Sequence, residues 1–117
     1  MTTADVFAMP STEEPCALVY LEAMAIGLPV VALDDGGTPE LVIDGEQGVL
    51  SAYRDAPALA EHLGRLVADA ELREEMGASG RARAAKLFTT KRQAADVAAL
   101  YRRCIVKRWS ATEGRFP

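Results

Sequence analysis

The densest apolar block of the chain runs from Pro15 to Leu33, and Glu22 is its one ionisable carboxylate. Upstream of it, Asp5-Val-Phe-Ala-Met-Pro10 reads as a short buried strand closed by proline. Ser11 to Pro15 is a polar loop, and Pro15 suits a helix start because its missing N–H would be unpaired there anyway. A helix is predicted from Ala17 to Ile26, ended by Gly27 as a left-handed cap with Pro29 beyond it. Pro29 to Leu33 is a second strand, β-branched and without polar alternation. Continuous apolar strands flanking an apolar helix are what a parallel sheet covered on both faces produces.

Past Leu33 the pattern loosens. Asp34 to Glu40 is a turn in which Gly36 and Gly37 can take positive φ and let the backbone approach a ligand closely. A short helical piece, Pro39 to Ile43, and the Asp44-Gly45 turn lead to a third strand, Gly48 to Ser51. Asp55 is a good helix N-cap, and Leu59, Leu63, Leu66 and Val67 then fall on one apolar face. Asp69 caps a further helix holding Leu72, Met76 and the basic stretch Arg81 to Lys86. Thr90-Lys-Arg-Gln93 matches a capping box. The last helix gathers Ala94, Val97, Ala98, Tyr101, Cys104 and Ile105 on one face, with Arg102, Arg103, Lys107 and Arg108 near its end.

These elements predict an α/β fold: about three short parallel strands, flanking helices and a C-terminal helical region. The expected organisation is a partial Rossmann-like domain over residues 1–88, an amphipathic helix over 89–109 and a loose tail over 110–117. Three strands are half of a doubly wound sheet, with an apolar edge and face left uncovered. The rest of the sheet is therefore expected N-terminal to residue 1, or the edge is covered by a partner chain or a second copy.

Composition narrows the function classes. At 117 residues the chain is one domain at most. A net charge of −4 gives no electrostatic case for nucleic acid. Cys16 and Cys104 have neither metal-ligand spacing nor the density of a disulfide framework, which fits a reducing compartment. The N-terminus lacks the basic and apolar segments of a signal peptide, and Glu22, Gly27 and Pro29 interrupt the longest apolar run. A cytoplasmic location is expected.

The strand-loop-helix unit from Val6 to Gly27 puts a helix N-terminus at the carboxyl end of a parallel strand, where open α/β sheets bind ligands. The N–H groups around Cys16 to Val19, at the positive end of the helix dipole, suit a phosphate or pyrophosphate. Glu14 stands just outside that end and Glu22 one to two turns inside. Both would repel a phosphate they touched, so they fit better as acceptors for neutral hydroxyls on either side of it. Blander readings exist for each. Glu22 reaches solvent from mid-helix, Glu14 complements the dipole, Gly36-Gly37 is a plain turn and Glu40 a helix-start acid. Cys16 lies at a helix N-terminus but has no base or partner cysteine, and His62 is assigned no role. The basic residues Arg102 to Arg108 complement a helix C-terminus, with a weak membrane-surface contact as the alternative.

Glu14-Pro-Cys-Ala-Leu-Val-Tyr-Leu-Glu22 resembles the E-x7-E motif of retaining GT-B glycosyltransferases, the glycosyl transferases group 1. The likeness continues through Gly27-Leu-Pro-Val-Val-Ala, Gly36-Gly37-Thr-Pro-Glu40 and Asp44-Gly45 to Gly48, over roughly nine-tenths of the chain. It implies the C-terminal part of a GT-B donor domain. Glu14 would be the catalytic position, contacting the transferred sugar, and Glu22 would hold the nucleotide ribose. The backbone at Cys16, Ala17, Leu18 and Val19 would hold sugar and diphosphate. The donor would be a nucleotide-diphospho-sugar, with no metal and no further cofactor. The acceptor, a sugar, lipid-linked or other molecule, would meet it through an N-terminal domain. In the family Gly-Phe-Gly usually follows the first glutamate; here it is Pro15-Cys16-Ala17, which removes one backbone donor and adds a methyl group. The family's basic diphosphate-binding pair belongs to an earlier strand. Three outcomes follow: a piece of an active transferase, a non-catalytic module that binds nucleotide sugar or completes its fold on a partner, or a remnant of a sugar-nucleotide epimerase. The last would need acid/base side chains of which the sequence offers none.

Overall fold

The computed structural model describes residues 3–112, with side chains described through residue 106. The element order is β1 (Phe7–Met9), α1 (Leu18–Ala25), β2 (Val30–Leu33), α2 (Thr38–Leu41), β3 (Gly48–Ser51), α3 (Ala56–Ala68), α4 (Ala70–Leu87) and α5 (Thr90–Thr112). The three strands form one parallel sheet in the order β1-β2-β3. Phe7 pairs with Val30, and Val30 in turn with Gly48. The predicted α/β class and its three parallel strands are therefore present.

All four residues of β2 are buried, as a central strand between two neighbours requires. β1 departs from the fully buried strand expected from its composition. It is the edge of the sheet, with Ala8 exposed and Phe7 and Met9 half-buried. α1 lies against β2, and α3 against β2 and β3. Val31, Val49, Leu66 and Met76 make one core cluster, with Val6, Leu59, Leu63 and Leu72 packed around it. Val67 is not part of it and is 70% exposed. It lies about 100° further round the helix than Leu66, outside the apolar stripe.

The predicted caps at Asp55 and Asp69 both form: their carboxylates accept from Ala58 N (2.9 Å) and Leu72 N (3.0 Å). The basic residues of α4 satisfy the carbonyls that end the earlier helices. Arg73 donates to Leu66 O and Val67 O at the end of α3, and Arg83 to Leu41 O and Glu40 O at the end of α2. Arg81 reaches Ile26 O at the end of α1, at 3.5 Å. α4 also presents Gly77 and Gly80 where a side chain would meet Gly27 and Met24.

The chain divides into two compact units, one through Lys86 and one from Leu87. In the second, α5 is capped by Thr89, whose hydroxyl accepts from Arg92 N at 3.2 Å. The cap is therefore Thr89, one residue before the predicted Thr90, and with Arg92 at the N3 position the predicted capping box does not form. Val97, Tyr101, Cys104 and Ile105 are exposed on this helix, and only Ala98 of the predicted face is half-buried. Arg102 and Arg103 are exposed; the side chains of Lys107 and Arg108 lie outside the described residues. The backbone is helical to Thr112, and the rest of the expected tail lies outside the described residues.

Candidate functional site

The loops that follow β1 and β2 sit side by side, because those strands are adjacent and parallel. The first, residues 10–17, carries Glu14 and leads into α1. The second, residues 34–37, carries Gly36 and Gly37 and leads into α2. A hydrogen bond from Gly37 N to Glu14 O (2.8 Å) joins them, and another runs from Glu13 N to the Asp35 carboxylate (2.6 Å). Glu13 takes φ +57°, a left-handed conformation unusual for a residue with a side chain.

Gly36 and Gly37 approach main chain here. A Cβ on Gly36 would stand 2.6 Å from Glu14 O, and one on Gly37 would overlap Pro15 O. Gly36 has the positive φ expected of it (+57°); Gly37, with φ −85°, does not, and its need for glycine is steric.

Glu14 is half-buried, and the Ser11 hydroxyl donates to its Oε1 at 2.9 Å. Beneath it lies Tyr20, fully buried, whose hydroxyl donates to Met9 O at 2.9 Å and so ties α1 to the end of β1. The Phe7 ring meets Tyr20 edge-on, with centroids 6.2 Å apart. Burial raises the Tyr20 phenol above its ordinary value of 10; the Thr38 hydroxyl nearby opposes the shift, and the negative charge of Glu14 adds to it. Thr38 is itself 1% exposed, and its hydroxyl makes no hydrogen bond of good geometry. Glu14, Tyr20 and Thr38 thus form one polar cluster at the carboxyl end of β1.

Along α1, Cys16 is exposed, Val19 half-buried and Leu18 64% exposed. Ala17 is the N-cap and has no side chain with which to cap the helix. At 7% exposure little of its methyl group is open to solvent. Tyr20, Ala23 and Met24 form the buried face. Glu22 lies on the opposite side with Leu18, Ala25 and Ile26, and is exposed. Ten of the nineteen residues from Pro15 to Leu33 are buried, but Glu22 is not among them. The helix has an open face, and Glu22 stands on it without a desolvation cost. The structure thus assembles Glu14, Gly36 and Gly37 at one point, and strings Cys16, Ala17, Leu18, Val19 and Glu22 along the adjoining helix.

Sequence reasoning did not single out Ser11, Asp35, Tyr20 or Thr38. Ser11 lies three residues before Glu14 and had a local signal, as a short polar side chain in a turn. Asp35 is 22 positions from Glu13, and nothing local links them. His62, given no role, has Nδ1 3.1 Å from the Ser51 hydroxyl, joining α3 to the end of β3. Among the described residues no group of three or more His, Cys, Asp or Glu side chains could hold a metal ion. Nor is any described helix long and apolar enough to cross a membrane.

The comparisons with known proteins agree with the fold. The family model for "Glycosyl transferases group 1" matches residues 1–83. The chain is 41% identical over 109 residues to alpha-maltose-1-phosphate synthase of Mycolicibacterium smegmatis, covering 88% of this chain and 28% of that protein. Among solved structures, sucrose-phosphate synthase of Thermosynechococcus elongatus superposes with a TM-score of 0.80 at 39% identity, over 89% of this chain and 26% of that one. Anabaena HepE, solved in complex with UDP-glucose, superposes with a TM-score of 0.73 at 31% identity, over 82% of this chain and 28% of that one. The chain spans little more than a quarter of the length of these proteins.

Proposed function

Because the chain belongs to the glycosyl transferases group 1 family and has its GT-B, Rossmann-like fold, we propose that it is the donor-binding part of a retaining glycosyltransferase that uses a nucleotide-diphospho-sugar. The observation that carries the reading is the pairing of Glu14 and Glu22 about the N-terminus of α1, at the carboxyl end of a parallel strand. Glu14, half-buried and held by Ser11, accepts from hydroxyls of the transferred sugar. Glu22, on the open face of α1, accepts from the ribose hydroxyls. Between them the first N–H groups of α1, around Cys16 to Val19, receive the diphosphate with the helix dipole behind them. The UDP-glucose complex of HepE supports a donor of this chemical class.

Transfer with retention needs no side-chain base from this chain if the leaving diphosphate takes the acceptor proton, and no metal is required. The acceptor is met by residues beyond these, as the short span relative to the relatives suggests. The setting is the cytoplasm, with a weak contact to the inner membrane face through Arg102 and Arg103 as the alternative.

The test is a titration of UDP-glucose and GDP-mannose against the purified chain and its Glu22→Ala variant. Weaker binding by the variant supports the assignment. Equal affinity, or no binding by the unaltered chain, rejects it. The isolated chain is expected to bind without turnover, and measured transfer or hydrolysis by it would overturn that expectation.

A further inference from the structure

We propose that Asp35, on the loop after β2, is a positioning residue that sets the place of Glu14 in the donor crevice. The inference rests on the donor-site reading above and adds to it the device that holds the site in shape. The Glu14 segment has short contacts with one neighbouring loop along its whole length. The Asp35 carboxylate accepts from Glu13 N at 2.6 Å, a charge-assisted hydrogen bond, and so holds Glu13 at φ +57°. Gly37 N donates to Glu14 O at 2.8 Å. The main chain of Gly36 and Gly37 lies so close to Glu14 and Pro15 that any Cβ would collide there.

A residue with a side chain leaves the left-handed region unless its surroundings hold it there. If the Asp35 carboxylate is removed, Glu13 is free to relax to negative φ, and the peptide that follows turns with it. That peptide carries Glu14. Ser11 controls only the last bonds of the Glu14 side chain, whereas Asp35 sets the backbone from which that side chain starts. The glycine pair, read from sequence as a loop that approaches a ligand, has its tightest contacts with this main chain instead.

The experiment compares the unaltered chain with Asp35→Ala, Asp35→Asn, Gly36→Ala and Glu22→Ala. The readouts are UDP-glucose affinity and the amide proton shifts and exchange protection of Glu13 and Gly37. Asp35→Ala is expected to move the Glu13 amide upfield, reduce protection of Gly37 and weaken donor binding about tenfold. Asp35→Asn keeps an oxygen acceptor and is expected to recover much of both. Gly36→Ala is expected to weaken binding with the Asp35 carboxylate intact. If Asp35→Ala perturbs the two amides but leaves affinity unchanged while Glu22→Ala lowers it, the positioning role is overturned and the donor site stands. Unchanged amides in Asp35→Ala overturn the role directly. Equal affinity of the unaltered chain and Glu22→Ala overturns the donor-site reading itself, and with it the role of Asp35.

Discussion

Two glycines in neighbouring helices should respond to the same substitution with opposite signs. Gly64 lies within α3, and a Cβ built there meets nothing within 4 Å. Gly77 lies within α4, buried, and a Cβ there would overlap the Gly27 carbonyl oxygen and stand 3.0 Å from its carbonyl carbon. Helix propensity alone predicts that glycine to alanine stabilises either helix by about 0.8–1.0 kcal/mol. At Gly64 that gain is unopposed. At Gly77 the new carbon falls inside van der Waals contact, which for carbon atoms is about 3.5–4.0 Å. The obstructing atoms are main chain in a turn already held at φ +81°, so they cannot rotate away as a side chain would. Overpacking of this kind costs about 1–3 kcal/mol, and against backbone the upper half of that range applies. The net expectation is a loss of roughly 1–2 kcal/mol for Gly77→Ala against a gain of about 1 kcal/mol for Gly64→Ala. Urea unfolding followed by circular dichroism should place the midpoint of Gly64→Ala above that of the unaltered chain and that of Gly77→Ala below it. With a slope of about 1–1.5 kcal/mol/M the two variants should differ by roughly 1 M or more. Midpoints that move in the same direction would refute the close packing of α4 on the Gly27 turn.

Three further substitutions test other contacts. Tyr20→Phe removes the donor to Met9 O and should cost about 1–2 kcal/mol, measured in the same way. Because burial raises the Tyr20 phenol, the unfolded chain releases that proton first. The contribution of Tyr20 is thus full below pH 10, its unfolded value, and falls as pH rises through the raised folded value. Urea midpoints for the unaltered chain should drop more steeply above pH 10 than those for Tyr20→Phe, and parallel curves would contradict the burial. Arg83→Lys should lose about 1–2 kcal/mol despite keeping the charge, since one ammonium cannot reproduce the forked contacts to Leu41 O and Glu40 O; a neutral result would show that only charge matters. Asp55→Ala should cost about 1 kcal/mol and Asp55→Asn much less, as expected of an N-cap bonded to Ala58 N.

Much of the fold could be read from local pattern because the forces that set it are local. β2 consists of apolar residues throughout, and it lies between two strands with every residue buried. Asp55 and Asp69 bond to amides three residues away, within reach of their own short side chains. The end of α1 at Gly27, with φ +81°, likewise follows from what that residue permits, whereas Pro15 lies two residues before the N-cap, outside the first turn. The cap of α5 slipped because Thr89 and Thr90 offer the same hydroxyl one position apart.

What composition could not show is which side of an element is covered. The run containing Glu22 is apolar by sequence, and that composition does not say which side of the helix is covered. Only its packing shows that Leu18, Glu22, Ala25 and Ile26 form an open face, so that Glu22 stands in solvent instead of among buried side chains. The same limit applies to α5, whose apolar stripe is evident in the sequence and exposed in the structure.

By itself the sequence determined that a helix N-terminus would follow a parallel strand, with a carboxylate before it and another within it. Those are facts of spacing, and a chain a few residues long can satisfy them. Tertiary structure alone decided how the backbone of Glu14 is held. Asp35, Gly36 and Gly37 reach it from more than twenty residues away, because two adjacent parallel strands end side by side and their loops must share the space above them. Contacts across such a distance leave no period and no motif in the chain. They arise only once the sheet has formed.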